Sequence, residues 1–483
     1  MSSAVAHSAG ELAHDDIFCR GVFKKTFFEK KKCIRCHRRT RESARAMSVL
    51  RVPVTVLTGS LGAGKTTLLR RVLSAAGELG LRVAVIENEF AGDESSGSGS
   101  AGVESLILAS GGDAAAAAAG YFELPNGCLC CSARAGLVDA LARVLRAAAR
   151  LDRVVVECSG LADPGRVAAA FWTDAEEAAG GAARLALDAV VAVVDGAHFE
   201  AARARPRPAG AVNEVDAQLA CADVVLLNKM DLLHAAADGE ARERRLRAAV
   251  RGVNAAAELL PCTSCDVPLE RLLAVGAYGD GGGALHHLQR AMRHAADCEE
   301  QHEHGGGCGG AAHGGISSWV WRQPAGAAAP THAEFRLWMA ALIWEKRIEG
   351  EPASAAAAAA AAAGEGEALN VLRVKGVLRL RECPSDDDEG EGGSDGSGAQ
   401  RYIVQGVHDV FELQPLRLPA PSAAAAAAEE VGAAAARAAV NGPGALIVIG
   451  AGVAAAAARL GASLARLCSG SSSSGSGSDL AAS

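Results

Sequence analysis

Two things are missing from this 483-residue sequence, and each absence removes a class of function. There is no apolar run of membrane length. The longest, GALIVIGAGVAAAAA at 444–458, carries glycines and ends at Arg459, so it reads as a strand followed by a helix; a bilayer span needs about 20 apolar residues. There is no basic excess either. A net charge of −8 and a pI near 5.9 argue against a general nucleic-acid binder. Half of the residues are apolar, which allows a large core and predicts two or three domains. Alanine tracts at 355–363 and 423–428 inflate that fraction and read as helical or disordered inserts.

What is present begins with TGSLGAGKTTL at 58–68, a glycine-rich loop of the form Gly59, four residues, then Gly64, Lys65 and Thr66. An apolar β-branched run, VPVTVLT (52–58), precedes it and a helix-compatible stretch, TLLRRVLSAAGEL (67–79), follows. Strand, glycine turn and helix in that order form the context in which the motif binds phosphate. Glycines let backbone N–H groups converge on phosphate oxygens, and the helix N-terminus adds partial positive charge. Lys65 is placed to reach the β- and γ-phosphates and Thr66 to offer its hydroxyl to Mg²⁺. Gly62 and Thr67 belong to the same cradle.

The base is read further on. ADVVLLNKMDLL (222–233) is an apolar strand ending in Asn228, Lys229, Met230 and Asp231. A carboxylate at the last of these positions accepts hydrogen bonds from the N1–H and exocyclic amino group of guanine. Adenine lacks both donors and would leave that carboxylate unpaired, so the pattern selects GTP over ATP. Asn228 would support the loop and the base edge. Between the two motifs stands RVVVECSGLADP (153–164), whose apolar run leads into Glu157 at a strand's C-terminal end, where open α/β sheets place ligand chemistry. Many phosphate-loop enzymes carry Asp here. The longer Glu157 suits a water-mediated Mg²⁺ contact or orientation of the attacking water, and Gly160 suits close approach of backbone to the γ-phosphate. Asp195, ending AVVAVVD (189–195), reads as architectural.

PNGCLCCS (125–132) sets Cys128, Cys130 and Cys131 between a Pro-Asn-Gly turn and a helix beginning near Ser132. In a reducing compartment such a cluster favours metal or redox chemistry over structural disulfides, and adjacent Cys130 and Cys131 are poorly placed to bridge each other. Thiolates select soft or borderline ions such as Zn²⁺. Three ligands leave one position open, as a site that hands its ion over requires.

With these pieces in this order the chain resembles the CobW-type metallochaperone GTPases, closest to the zinc-regulated GTPase metalloprotein activators. The resemblance rests on GSLGAGKTTLL (59–69), VIENEF (85–90), NGCLCC (126–131), VVVECSGLADP (154–164), QLACADVVLLNKMDL (218–232), RVKG (373–376) and VQGVH (404–408). It implies a GTPase, with GTP and Mg²⁺ as ligands, that binds a transition metal and delivers it to a client metalloprotein. Zinc is the first candidate, with cobalt, nickel and iron as alternatives. It also implies that Glu87 and Glu89 lie in the first switch region and add oxygen ligands to the cysteine site. The chain departs from the family after Phe90. A Gly-Glu pair is replaced by AGDESSGSGSAG (91–102), where Asp93 or Glu94 would stand in for the carboxylate, and GGDAAAAAAG (111–120) lengthens the loop further.

The expected architecture is an α/β P-loop GTPase domain with a mostly parallel sheet at 48–275 and a smaller α+β carboxy-terminal domain at 317–470, packed by one face of its sheet. A His/Cys/Gly-rich linker (276–316) joins them, and His302, His304 and Cys308 within CEEQHEHGGGCGGAAHGG (298–315) are auxiliary metal ligands. In the second domain WVWR (319–322), THAEFRLWMAALIWE (331–345), NVLRVKGVLRLR (370–381) and RYIVQGVHDVFEL (401–413) predict strand, helix, strand, strand, with Trp338 and Trp344 in the core. Acidic SDDDEGEGGSDGSG (385–398) reads as a solvated insertion. Residues 1–47 form a basic extension, with eleven Lys or Arg against two Glu from Arg20 to Arg45, and 471–483 a Ser/Gly-rich tail. The compartment expected is the cytoplasm, or a chloroplast or mitochondrion if that extension is a transit peptide. The partner expected is a client metalloprotein; neither nucleic acid nor membrane is, and a homodimer is an admissible assembly. The rival functional readings are a regulatory GTPase with redox-sensing cysteines and a metal-storage module.

Overall fold

Strands such as VPVTVLT, RVVVE and LALDAVVAVVD are apolar on both faces, the pattern of parallel strands covered by helices on each side. The computed structural model describes residues 52–87, 104–109, 122–124, 151–158, 160, 163–173, 185–207, 212–278, 315–349, 369–382, 398–416 and 444–469. In chain order the first elements are β1 (Val52–Thr58), α1 (Lys65–Glu78), β2 (Val83–Glu87), β3 (Glu104–Ala109), β4 (Phe122–Leu124), β5 (Arg153–Glu157) and α2 (Pro164–Thr173). Next come β6 (Leu185–Asp195), α3 (Phe199–Arg203), α4 (Glu214–Cys221), β7 (Val224–Asn228), α5 (Met230–His234), α6 (Gly239–Val253), β8 (Glu258–Pro261) and α7 (Glu270–Leu273). The last are β9 (Ile316–Arg322), α8 (His332–Ile343), β10 (Asn370–Arg381), β11 (Ala399–Val407), β12 (Val410–Pro415), β13 (Ala445–Ala451) and α9 (Val453–Ser469).

The first sheet has the order β4-β3-β2-β5-β1-β6-β7-β8. From β2 to β8 all neighbours are parallel, while β3 and β4 extend the β2 edge antiparallel. This is the mostly parallel α/β sheet that the sequence predicts. Alternation sorts its side chains. Val54, Val56, Val154 and Val156 pack with Val167 and Ala168 of α2 on one face. Leu57, Val155, Val191 and Val193 pack with Leu68, Leu69 and Val72 of α1 on the other. The ends of β1 and β5 are thereby held side by side, with Leu57 in register with Glu157.

The second sheet, β12-β11-β10-β13-β9, is antiparallel throughout. Helices α8 and α9 cover one face through Phe335, Trp338, Leu342, Leu460 and Leu464. α8 starts at a capping box, in which Thr331 Oγ1 accepts from the Glu334 N–H and the Glu334 carboxylate accepts from the Thr331 N–H. Three expectations need correcting here. The sheet is covered on both faces, because Ile316, Leu372, Ile447 and Ile449 pack against Leu219, Val250 and Val253 of the first layer. The predicted strand 401–413 is two strands, since His408 takes φ +52° and turns the chain between β11 and β12. Trp344 is 54 % exposed: at the end of α8 its ring lies against Phe411 and its Nε1–H donates to the Asp409 carbonyl, whereas Trp338 is buried as expected. Among the described residues no helix is long and apolar enough to cross a membrane.

Candidate functional site

The loop between β1 and α1 sits at the carboxyl edge of the first sheet, on its central strands. Gly59, Gly62 and Gly64 all take positive φ. Gly64 shows why the loop needs glycine: at φ +119° a Cβ would also fall 2.5 Å from the Asn228 side-chain nitrogen. Gly160, just beyond β5, lies against the same loop, where a Cβ would stand 2.9 Å from the Leu61 backbone nitrogen. Its carbonyl accepts a hydrogen bond from Gln218 at 2.8 Å. Glycine at Gly64 and Gly160 therefore lets backbone pack directly on the neighbouring segments, while a Cβ at Gly62 would meet nothing within 4 Å; a close-packed glycine loop at a helix start fits phosphate.

Lys65 opens α1 and is buried, with its ammonium donating to the carbonyls of Gly59 at 2.8 Å and Ser60 at 3.3 Å. Burial lowers its pKa, opposed by the negative charge of Glu157. Thr66 and Thr67 follow on the exposed side of the same first turn. Glu157 ends β5 with Glu87 opposite it in register on β2, so the backbones of two carboxylate residues meet at one sheet edge. Next to Glu157, burial raises the Cys158 thiol to about 12, with Asp163 and Glu157 adding to the effect. Cys158 is a packed thiol, not a nucleophile.

Asn228 does more than the sequence suggests. Buried at the end of β7, it donates to the Ala63 carbonyl at 2.9 Å and accepts from the Cys265 N–H at 2.9 Å. One amide thus ties the phosphate loop to the loop after β8. The Cys265 thiol contacts the Gly64 carbonyl at 3.4 Å, and nothing in the local pattern of PCTSC marks that loop as part of the site. Lys229 adopts the left-handed conformation and its ammonium is 2.6 Å from Asp195. Burial raises the Asp195 pKa, but hydrogen bonds from Lys229 and His198 outweigh it and hold the carboxyl below its usual range. Asp195 thereby fixes the turn at Lys229 that opens α5. Asp231 lies exposed in the first turn of α5.

The structure thus brings Gly59, Gly62, Gly64, Lys65, Gly160 and Asn228 together around one loop. Glu89, Cys128, Cys130, Cys131, His302, His304 and Cys308 lie outside the described residues, and of Glu87 only the backbone is described.

Fold and loop together define a P-loop nucleotide-binding protein. Residues 53–257 match the CobW/HypB/UreG nucleotide-binding domain. The chain is 34 % identical over 283 residues to the zinc chaperone CobW of Pseudomonas aeruginosa, covering 53 % of this chain and 70 % of that protein. It is 29 % identical over 375 residues to zinc-regulated GTPase metalloprotein activator 1 of Schizosaccharomyces pombe, covering 76 % and 77 %. It is 34 % identical over 231 residues to the zinc chaperone YjiA of Escherichia coli, covering 47 % and 62 %. The chain belongs to the CobW/HypB/UreG family.

Proposed function

We propose that this protein is a GTP-hydrolysing metallochaperone that takes up zinc at Cys128, Cys130 and Cys131 and passes it to a client metalloprotein. The observation that carries the reading is the convergence of Lys65, Gly160 and Asn228 on one glycine loop, in a chain whose relatives bear the names of zinc chaperones. Those names also favour zinc over cobalt, nickel or iron.

In this reading Lys65 leaves the loop carbonyls for the β- and γ-phosphates. Asp231 accepts from the guanine edge, on a loop fixed by the Lys229–Asp195 pair. Thr66 and the carboxylate of Glu157 would hold Mg²⁺, which when bound neutralises charge on the β- and γ-oxygens. Glu157 also orients the attacking water from the end of β5. Most of the catalysis is positioning and charge neutralisation, and turnover is slow, as suits a switch. The Glu87–Glu157 register supports placing the first switch segment beside the phosphates, so that Glu87 and Glu89 complete the zinc site in one nucleotide state. His302, His304 and Cys308 would collect the ion.

The test loads the full chain with zinc and follows transfer to a chelating dye with GTP or GDP present. Transfer should be faster with GTP. Lys65→Ala should abolish hydrolysis and that acceleration while keeping the bound zinc. Transfer indifferent to nucleotide would overturn the reading. Loss of zinc from a folded Lys65→Ala chain, judged by circular dichroism, would mean a single merged site.

A further inference from the structure

A second cluster of metal-binding side chains lies where the two sheets meet. Asp163, Cys221 and His408 each bring a ligand atom to within 4.8 Å of the others. They come from three separate segments. Asp163 stands at the start of α2, Cys221 closes α4, and His408 forms the turn between β11 and β12 of the second sheet. His408 Nε2 lies 3.1 Å and 3.0 Å from the two carboxylate oxygens of Asp163. Cys221 is fully buried beside them.

The fold leaves room for this meeting. A Cβ on Gly165 would stand 2.2 Å from His408 Cδ2, 2.4 Å from Nε2 and 3.0 Å from the Cys221 sulfur, so only glycine lets the three groups converge. Their supports are in place: the Gly165 N–H donates to Asp163 Oδ1 at 3.0 Å, and the His408 N–H donates to the Leu372 carbonyl at 3.0 Å. The His408 and Asp163 side chains keep 20 % and 30 % of their surface exposed, which gives an ion a path in.

We infer that Asp163, Cys221 and His408 form a zinc site joining the second sheet to the nucleotide-binding layer. One imidazole nitrogen, one thiolate and one carboxylate oxygen make a ligand set suited to zinc, and three protein ligands leave a fourth position for water or an incoming ligand. Ligand atoms around a tetrahedral zinc lie about 3.5 Å apart, given bonds of about 2.0–2.3 Å, so a contraction of about an ångström closes the cluster. The site uses none of Cys128, Cys130 and Cys131 and does not depend on their role. Its location gives it a consequence. Asp163 follows three residues after Gly160, whose backbone rests on the phosphate loop, so an ion here would brace a neighbour of that loop.

The test uses the full chain with Cys33, Cys36, Cys128, Cys130, Cys131, Cys298 and Cys308 changed to serine and His37, His302, His304 and His313 to alanine. Cobalt(II) is the probe, because its absorption reports the number of thiolate ligands. One equivalent should still bind, with the charge-transfer band of a single thiolate. Adding Cys221→Ser should remove that band. Adding His408→Ala should weaken binding by about tenfold or more, a loss that removal even of an outer partner can cause. Should Cys221→Ser fail to fold, His408→Gln, at a partly exposed turn, decides the matter by the same affinity measurement. The inference is overturned if the stripped chain binds no cobalt, or if neither His408 variant changes its affinity. Failure of nucleotide-dependent zinc transfer would leave this result unaffected.

Discussion

The Asp223 carboxylate is paired with the Arg373 guanidinium, although the residues lie 150 positions apart, Asp223 just before β7 of the first sheet and Arg373 on β10 of the second. Lys375 reaches the same carboxylate oxygen, and the Arg373 guanidinium also bonds the Cys221 carbonyl. All three charged side chains are nearly or fully buried, and the Tyr278 ring lies 5.3 Å from the guanidinium and 5.2 Å from the ammonium. The other oxygen of Asp223 accepts from the Val190 N–H at 2.9 Å. A buried polar joint thus runs through the contact between the layers.

Removing the one carboxylate from such a joint leaves two buried cations uncompensated. Asp223→Ala should lower unfolding stability by about 3–5 kcal/mol, and Arg373→Met should cost less because Lys375 still pairs with Asp223 and the methionine fills apolar volume. Urea denaturation checks both. A loss below the scatter of surface substitutions would mean that the joint is not buried in solution.

Lys375 makes the joint pH-dependent in an unusual sense. Burial lowers its pKa to about 8, although Asp223 opposes the shift, against 10.5 for an ordinary lysine. Between these values the unfolded chain holds a proton that the folded chain has released, so this group's contribution to stability rises with pH from about 8 to about 10.5. Tyr278 and Cys158, both raised in the fold, act in the opposite direction at high pH, so the comparison must be differential. The stability of wild type minus that of Lys375→Met should increase across this window. A flat difference would mean that Lys375 keeps an ordinary pKa.

Asp231→Asn should weaken GTP binding and favour the xanthine nucleotide, because an amide can donate to the xanthine 2-oxo group. Fluorescent nucleotide competition measures this directly. Equal affinity of the wild type for ATP and GTP would remove the guanine reading altogether.

Zinc affinity should differ between the GDP state and a non-hydrolysable GTP analogue, as read by competition with a chelating dye. By linkage, zinc must then change GTP affinity by the same factor, with a coupling of about 1–3 kcal/mol as a typical size. Serine at Cys128, Cys130 and Cys131 should abolish the difference and spare basal hydrolysis. If the serine chain retains the difference, the junction cluster of Asp163, Cys221 and His408 becomes its source.

The sequence by itself determined the phosphate loop, the turn at Lys229 after β7 and the strand–helix order around them. Those features are local: glycines at set positions, a lysine at a helix start and apolar runs bounded by turns dictate conformation over a few residues. The five strands and two helices of the second layer were legible in part for the same reason, through patterns such as the Thr331–Glu334 capping box. Only the tertiary structure decided where long-range partners meet. Arg373 and Lys375 lie on a strand whose burial on both faces no periodicity announces, and what they neutralise, Asp223, comes from the end of another segment. Asn228, expected to support the loop and the base edge, ties two loops together, because both ends of its amide meet backbone from distant parts of the chain. His408 and Asp163 are 245 residues apart, and their contact depends on how one sheet packs on another, a relation that local spacing cannot express.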